Sequence, residues 1–304
     1  MANMKNTAMV PIGRYIDPLT DFGFKKIFGS EPNKDLLIAF LNELFKGRKV
    51  IHDLVYNPQE NNGPAKHYRK TIFDLTCTGA EGETFIIEMQ RAEQKFFADR
   101  AVFYTSSKLY EQGPKGNKHW DFELKEVYFI GLMNFSFDGS ATEHYLHWVR
   151  MAEEETGYTF YNKLGFIFLE LPNFKLTEKE IKTDLQRWMY VLCNMAQLDK
   201  IPVILHKKIF QKLFEIAEVA NLKAEEYMLY QKDVLDKWTE YSVLKTAEER
   251  GVEQGIEKGA EQKSLEVVKK MLAAGKFTIP EIANFAGVTV PIVKRIAQSL
   301  KEKK

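Results

Sequence analysis

The sequence predicts an α/β protein followed by an all-helical C-terminal region. Three observations predict it. Apolar residues recur at helical spacing over residues 20–44, short segments of period near two run from Val50 to Leu171, and the chain after Thr177 is helical in texture to its end. Thr20 is placed to cap a short helix holding Phe22, Phe24, Ile27 and Phe28, with Asp21 in its first turn and Lys25 one turn later. Gly29 breaks that helix. Asn33 is placed to cap a second one, carrying Leu36, Leu37, Phe40, Leu41 and Leu44, and Gly47 sits where a left-handed C-cap belongs.

Val50–Tyr56 reads as a first strand. Arg69–Cys77 and Thr84–Gln90 read as two clearer strands joined by the turn-rich Thr78–Glu83. Strict alternation puts Ile72, Asp74 and Thr76 on one face of the earlier strand and Phe73, Leu75 and Cys77 on the other, while Ile86, Glu88 and Gln90 share a face of the later one. Phe97–Gln112 reads as a helix ended by Gly113-Pro114. Val127–Phe135, His144–Val149 and Gly165–Leu171 are further strands.

In the C-terminal region Gly251, Gly255 and Gly259 recur every four residues among Glu, Gln and Lys. Each interior Gly costs about 1 kcal/mol of helix stability relative to Ala, so the stretch reads as a weak or hinged helical connector. Ser264–Ala274, a segment capped by Thr278 and ending at Ala286, and Val290–Leu300 form three helices. Small Ala283, Gly287 and apolar Ile282, Val288 and Val293 suit two helices meeting at a tight turn, as in a helix-turn-helix. From Ser264 to Lys304 eight Lys/Arg face three Glu, a local net of +5. DNA binding through Lys294 and Arg295, or self-association of a small helical bundle, are the two readings of this unit. The domain reading is 1–176 for the α/β core, 177–244 for a helical extension, 245–263 for the connector and 264–304 for the three-helix unit.

Composition narrows the function. The chain of 304 residues carries 43 basic and 42 acidic side chains, net +1, so any nucleic-acid contact is local rather than bulk electrostatic. No run approaches the ~18 uncharged apolar residues of a membrane span, and the N-terminal residues hold no apolar stretch of signal-peptide length. Two cysteines, Cys77 and Cys193, exclude a disulfide framework or thiolate metal cage and point to a reducing cytoplasm. The six histidines offer no metal pair at helical spacing, Ser106-Ser107 lacks a His/Asp partner pattern, and no phosphate-cradling glycine motif occurs.

Phe73-Asp74-Leu75 and Ile86-Ile87-Glu88-Met89-Gln90 carry the chemistry. Asp74 lies mid-strand among apolar residues, and Glu88 follows fourteen positions later on the strand that the short loop brings alongside. Buried unpaired carboxylates are costly. A divalent cation removes that cost, because Mg²⁺ sites commonly use one or two carboxylates and leave room for water and phosphate. Gln90 projects from the same face as Glu88 and can orient a water, though it is neither base nor cation. The bland alternative is a salt-bridged core in which Lys70 or Arg100 neutralises the acids.

Asp, a hairpin's length, then Glu-x-Gln resembles the Asp…Glu-x-Lys signature of PD-(D/E)XK nucleases. The wider sequence resembles the recombination-promoting nuclease (Rpn) family, grouped with transposases, within that superfamily. The matching stretches are Thr20–Gly29, Leu36–Asn42, Arg69–Asp74, Phe85–Gln90, Asp99–Tyr104 and the Gly-every-four segment. The resemblance implies a restriction-endonuclease-like core, a mixed central sheet flanked by helices. It also implies Mg²⁺- or Mn²⁺-dependent endonucleolytic hydrolysis of DNA, linked to recombination, mobile elements or defence. On it, Asp74 and Glu88 match the metal-binding acids, Asp21 the acid that often completes the site, and Gln90 the position usually held by Lys. Lys25, Lys70 or Arg100 can then substitute for the absent ammonium, or a second metal can. Lys25, Lys70, Arg100 and Tyr104 are the expected DNA contacts. A homodimer supplies the two sites that double-strand cleavage requires. The competing expectation is a catalytically silent DNA-binding or assembly protein that keeps the nuclease fold. Strand transfer in addition to cutting is a third.

Overall fold

Thr20 opens the first helix in the predicted way. Its Oγ1 accepts a hydrogen bond from Gly23 N at 3.0 Å, satisfying one of the amides a helix start leaves unpaired, and α1 runs Asp21–Phe28. The computed structural model describes residues 12–58, 60–61, 71–114, 119–137 and 144–301. Helix α2, Lys34–Leu44, begins differently from expectation. A short 3-10 turn, Glu31–Asn33, leads into it, Asn33 is not in the extended conformation a capping side chain needs, and its Nδ2 instead donates to Lys26 O at 2.9 Å. Asn33 therefore ties the connection back to α1. Gly47 has the left-handed φ of 76° expected of it.

The strands are β1 (Leu54–Tyr56), the two-residue β2 (Glu60–Asn61) and β3 (Thr71–Ile72), β4 (Leu75–Gly79), β5 (Thr84–Gln90), β6 (Val127–Met133), β7 (Leu146–Ala152) and β8 (Thr159–Glu170). Helix α3, Phe97–Glu111, connects β5 to β6. Six strands form one mixed sheet in the order β1-β4-β5-β6-β8-β7, while β2 and β3 pair only with each other. β5, β6 and β8 run parallel, and β1, β4 and β7 join antiparallel.

Period-two alternation sorts the sheet's side chains onto two faces. Phe85, Ile87, Ile130, Leu132, Ile167 and Leu169 pack with α1, α2 and the following helices α4 (Asp184–Asn194) and α5 (Lys208–Ala217), around an aromatic group of Phe28, Phe40, Trp188 and Phe210. Ile86, Phe129, Met133, Phe166 and Phe168 face Phe97 and Ala101 of α3. The expected alternation of residues 69–77 does not run through. Phe73 packs on the α3 side while Leu75 and Cys77 pack on the other, because the chain bends at Asp74 between β3 and β4. Asp74 N donates to a side chain, Glu88 Oε1, which is what the bend makes possible.

Helix α6 spans Ala224–Ala274, and α7 (Ile279–Ala286) and α8 (Val290–Lys301) follow. The chain divides into two compact units, Met1–Asp236 and Lys237–Lys304. In the first, Tyr230 and Val234 of α6 are buried in the core, and Asp233 Oδ2 accepts from Phe22 N at 2.6 Å, bracing the start of α1. In the second, Val268, Ile282, Ala283, Ala286, Val293 and Ile296 form a separate small core. No helix among the described residues is long and apolar enough to cross a membrane.

The expected hinge at the glycines is not a break: α6 is helical through Gly251, Gly255 and Gly259, and a Cβ at any of them meets no atom within 4 Å. Replacing all three by Ala is expected to stabilise the helix by about 1 kcal/mol per site, read as a higher melting temperature by circular dichroism. Destabilisation would mean that these positions lie against a close neighbour.

Candidate active site

The register Leu75↔Ile87 and Thr76↔Ile86 of the β4–β5 hairpin brings Asp74 opposite Glu88. Two hydrogen bonds then cross between the acids' segments. Asp74 N donates to Glu88 Oε1 at 3.1 Å, and Met89 N donates to Asp74 Oδ2 at 2.8 Å. Each carboxylate is held by the other's stretch of backbone, so the pair is fixed by the hairpin itself rather than by flexible side chains. The segments expected to carry the two acids side by side are joined in this way.

Glu88 is only 2% exposed, and its neutralising partner comes from α3: Arg100 Nη2 lies 2.6 Å from Glu88 Oε2. The same nitrogen donates to Gln90 Oε1 at 3.1 Å, and Arg100 Nη1 donates to Gln94 Oε1 at 2.9 Å. Gln90 Nε2 donates to Ala92 O at 3.0 Å, which fixes the orientation of its carboxamide. Arg100 Nε is buried without a hydrogen-bond partner among the described residues. The guanidinium also lies 5.6 Å from the ring of Phe97 and 5.4 Å from that of Tyr104. It is the hub of the site, joining Glu88, Gln90, Gln94 and two rings.

The electrostatics follow from burying two acids side by side. Burial pushes the Glu88 carboxyl well above its ordinary range, neighbouring Asp74 adds to the rise, and Arg100 opposes both. Asp74 is also raised, first by burial, with its hydrogen bond from Met89 N acting against the shift; Asp21 adds to the rise, and Lys25 and Arg100 lower it. A cation placed beside the pair would favour ionisation of both.

The other predicted residues divide. Asp21, at the start of α1, influences Asp74 electrostatically but pairs with Lys25 at 2.9 Å across one helical turn. Among the described residues no three His, Cys, Asp or Glu side chains converge closely enough to hold a metal ion, so Asp21 does not complete a three-acid cluster with Asp74 and Glu88. Lys25 is thus near the acids yet engaged with Asp21. Tyr104 is half-buried with its ring edge-on to Phe73, 5.0 Å between centroids. Lys70 lies outside the described residues. Lys294 and Arg295 are exposed on α8, in the second unit.

Gln94, Phe97 and Gly131 were not legible as parts of the site. Gly131 stands beside Glu88 in the β5–β6 register, and a Cβ there would come within 3.3 Å of the Phe97 ring and 3.1 Å of Phe168. Glycine therefore lets Phe97 reach the position from which it flanks Arg100. A conspicuous aromatic three residues before Arg100 is the one signal the sequence held.

The family model described as PD-(D/E)XK nuclease family transposase matches residues 18–247. Comparison with curated proteins and with solved structures finds no match. The mixed six-stranded sheet flanked by helices agrees with the PD-(D/E)XK nuclease fold, with the two predicted acids on its β4–β5 hairpin.

Removing Arg100 leaves the buried Glu88 carboxyl without its positive partner, so Arg100→Met is expected to destabilise the fold, by about 3 kcal/mol once Glu88 is ionised. The sign with pH is fixed by linkage. The folded-state pKa of Glu88 lies above the ordinary value of 4.5, so the folded variant holds a proton that the unfolded chain releases. With Arg100 present that pKa is raised to about 8 and without it higher still, so the deficit due to Glu88 opens as pH rises above about 8 and is small below it. Chemical denaturation across pH checks this, and adding Glu88→Gln should recover most of the loss. A pH-independent deficit would contradict the pairing.

Proposed function

We propose, on the premise that the chain belongs to the PD-(D/E)XK nuclease family transposases, that it is a Mg²⁺- or Mn²⁺-dependent endonuclease hydrolysing DNA phosphodiester bonds at Asp74 and Glu88. The observation that carries this reading is the reciprocal bonding of the two acids, Asp74 N to Glu88 Oε1 and Met89 N to Asp74 Oδ2. It presents two hard oxygen donors side by side on one hairpin, the pKa of both carboxyls raised by burial. That donor set fits a cation that takes one or two carboxylates and keeps water in its remaining positions. Bound there, the cation supplies Lewis acidity, lowering the pKa of water and offsetting negative charge on the attacked phosphate.

The chain's own residues have distinct tasks in this reading. Asp74 and Glu88 would hold the cation. Gln90 Oε1, steadied by Arg100, has a second lone pair with which to orient the attacking water. Arg100 stands where a lysine ammonium is missing: its Nη2 touches both Glu88 and Gln90, so it brings fixed positive charge to the same place. Asp21 enters as a negative charge beside Asp74, and Lys25, Lys70 and Tyr104 are the proposed contacts to the DNA backbone, giving affinity rather than sequence preference. The biological setting consistent with this chemistry is recombination, mobile-element movement or defence in the cytoplasm, with a homodimer for double-strand cutting.

One observation favours a second reading. Arg100 lies directly on Glu88, and in a silent, DNA-binding relative of a nuclease that ion pair would simply replace the cation. The two readings part on a plasmid assay. Purified protein is expected to nick or linearise supercoiled DNA with Mg²⁺ or Mn²⁺ and not in EDTA. Asp74→Asn and Glu88→Gln should each lower the rate at least ~100-fold, a loss comparable to that from removing a charge-stabilising group in other enzymes. Undiminished cutting by Asp74→Asn would refute the site. Salt-sensitive binding with no product under any divalent ion would support the silent reading.

A further inference from the structure

The second unit carries residues that the hydrolytic site does not use. Helix α7 opens with a reciprocal cap in which Thr278 N and Oγ1 both donate to Glu281 Oε2 at 2.7 Å. It ends at Gly287, whose φ of 64° and ψ of 31° is the left-handed turn that glycine adopts without strain. Val288 and Thr289 separate it from the start of α8. Val293 and Ile296 on its inner face meet Ile282, Ala283 and Ala286 of α7 and Val268 of α6. Small Ala283 and Ala286 at this contact let the two helices approach closely. The result is a three-helix unit whose last helix has one buried face and one open face.

The open face is the informative one. Pro291, Lys294, Arg295 and Gln298 are all exposed and recur at intervals of three and four, so they form one stripe along α8. Leu300, near the helix end, is the one large hydrophobic of α8 that is exposed. A surface built to cover a protein partner needs an apolar centre, and this stripe has none. Its charge points elsewhere: residues 264–304 carry eight Lys/Arg and three Glu, in a chain that is otherwise net acidic. The twelve residues of α8 make a rod about 18 Å long at 1.5 Å per residue. A helix of this kind fits the major groove of B-form DNA, about 12 Å wide, and not the deep, narrow major groove of duplex RNA.

We propose that α8 lies in the major groove of duplex DNA and selects its sequence, with Arg295 and Gln298 reading base edges and Lys294 contacting phosphate. Arg and Gln are the side chains that bond guanine and adenine edges in pairs, whereas the lysine ammonium acts as a point charge. The inference rests on the nuclease reading for DNA as the target. It adds that the choice of site belongs to the second unit while cleavage belongs to the first.

The test uses the full-length protein in EDTA, where binding is measured without cutting. Selection from a random duplex library should enrich one short motif, bound at least ~10-fold better than a scrambled duplex in fluorescence anisotropy. Arg295→Ala and Gln298→Ala should bring that ratio close to one. Lys294→Ala should weaken both duplexes alike and reduce the salt dependence by about one phosphate contact. Asp74→Asn should bind the same motif as the unaltered chain, so loss of catalysis and loss of sequence reading are scored separately. The proposal is overturned if no motif is enriched, or if the α8 variants keep the full preference. It is equally overturned if those variants change the mass measured by light scattering while DNA preference is untouched, because the stripe would then be a self-association surface.

Discussion

A carboxylate that is 2% exposed within a β-sheet must either lose its charge or find a positive partner, and Glu88 finds Arg100 at 2.6 Å. Leaving such a charge uncompensated costs several kcal/mol, so the arrangement of the surrounding elements follows from meeting that demand. The hairpin delivers Asp74 to the same point, which raises the demand further. Helix α3 must then lie on the sheet with Arg100 over the end of β5, and Phe97, Ala101 and Gly131 provide the packing that holds it there. Polar pairing at the site and apolar packing under α3 are thus one construction.

This construction has a functional consequence. One guanidinium is shared between Glu88, Gln90 and Gln94, beside a second buried acid, Asp74. A structural ion pair in a settled core gains nothing from a second buried acid. In the proposed cation site the second acid raises affinity for positive charge while the backbone bonds keep both acids in place. The departure from the usual Glu-x-Lys pattern is intelligible in the same terms: positive charge comes from a helix side chain rather than from the strand, and Gln90 is turned into a fixed polar group between them. The two acids singled out by the sequence resemblance are the two that this hairpin holds together.

Much of this was legible in the sequence, and the reasons differ by element. Thr20 was readable as a cap because a hydroxyl just before an apolar helical repeat has few other uses, and the bounds of β5 followed from alternation in Thr84–Gln90. The convergence of Asp74 and Glu88 followed from a short hairpin loop. Alternation failed at Phe73 because it assumes an unbroken strand, and the bend at Asp74 goes together with a long-range bond to Glu88. Asn33 failed as a cap because the preceding 3-10 turn fixed its backbone in another conformation. The unbroken α6 was hidden because helix propensity counts glycine against a helix wherever it occurs. Arg100 was named both as a possible neutraliser and as a DNA contact. Only the structure shows it bridging Glu88 and Gln90, since that depends on how α3 docks.

The central claim is that Asp74 and Glu88 form a divalent-cation site, and anomalous diffraction from crystals soaked in Mn²⁺ tests it most directly. The account predicts a peak within about 2.2 Å of a carboxylate oxygen of each residue, with the Arg100 guanidinium drawn away from Glu88. An empty map between the two carboxylates at saturating Mn²⁺, with Arg100 still on Glu88, would contradict it.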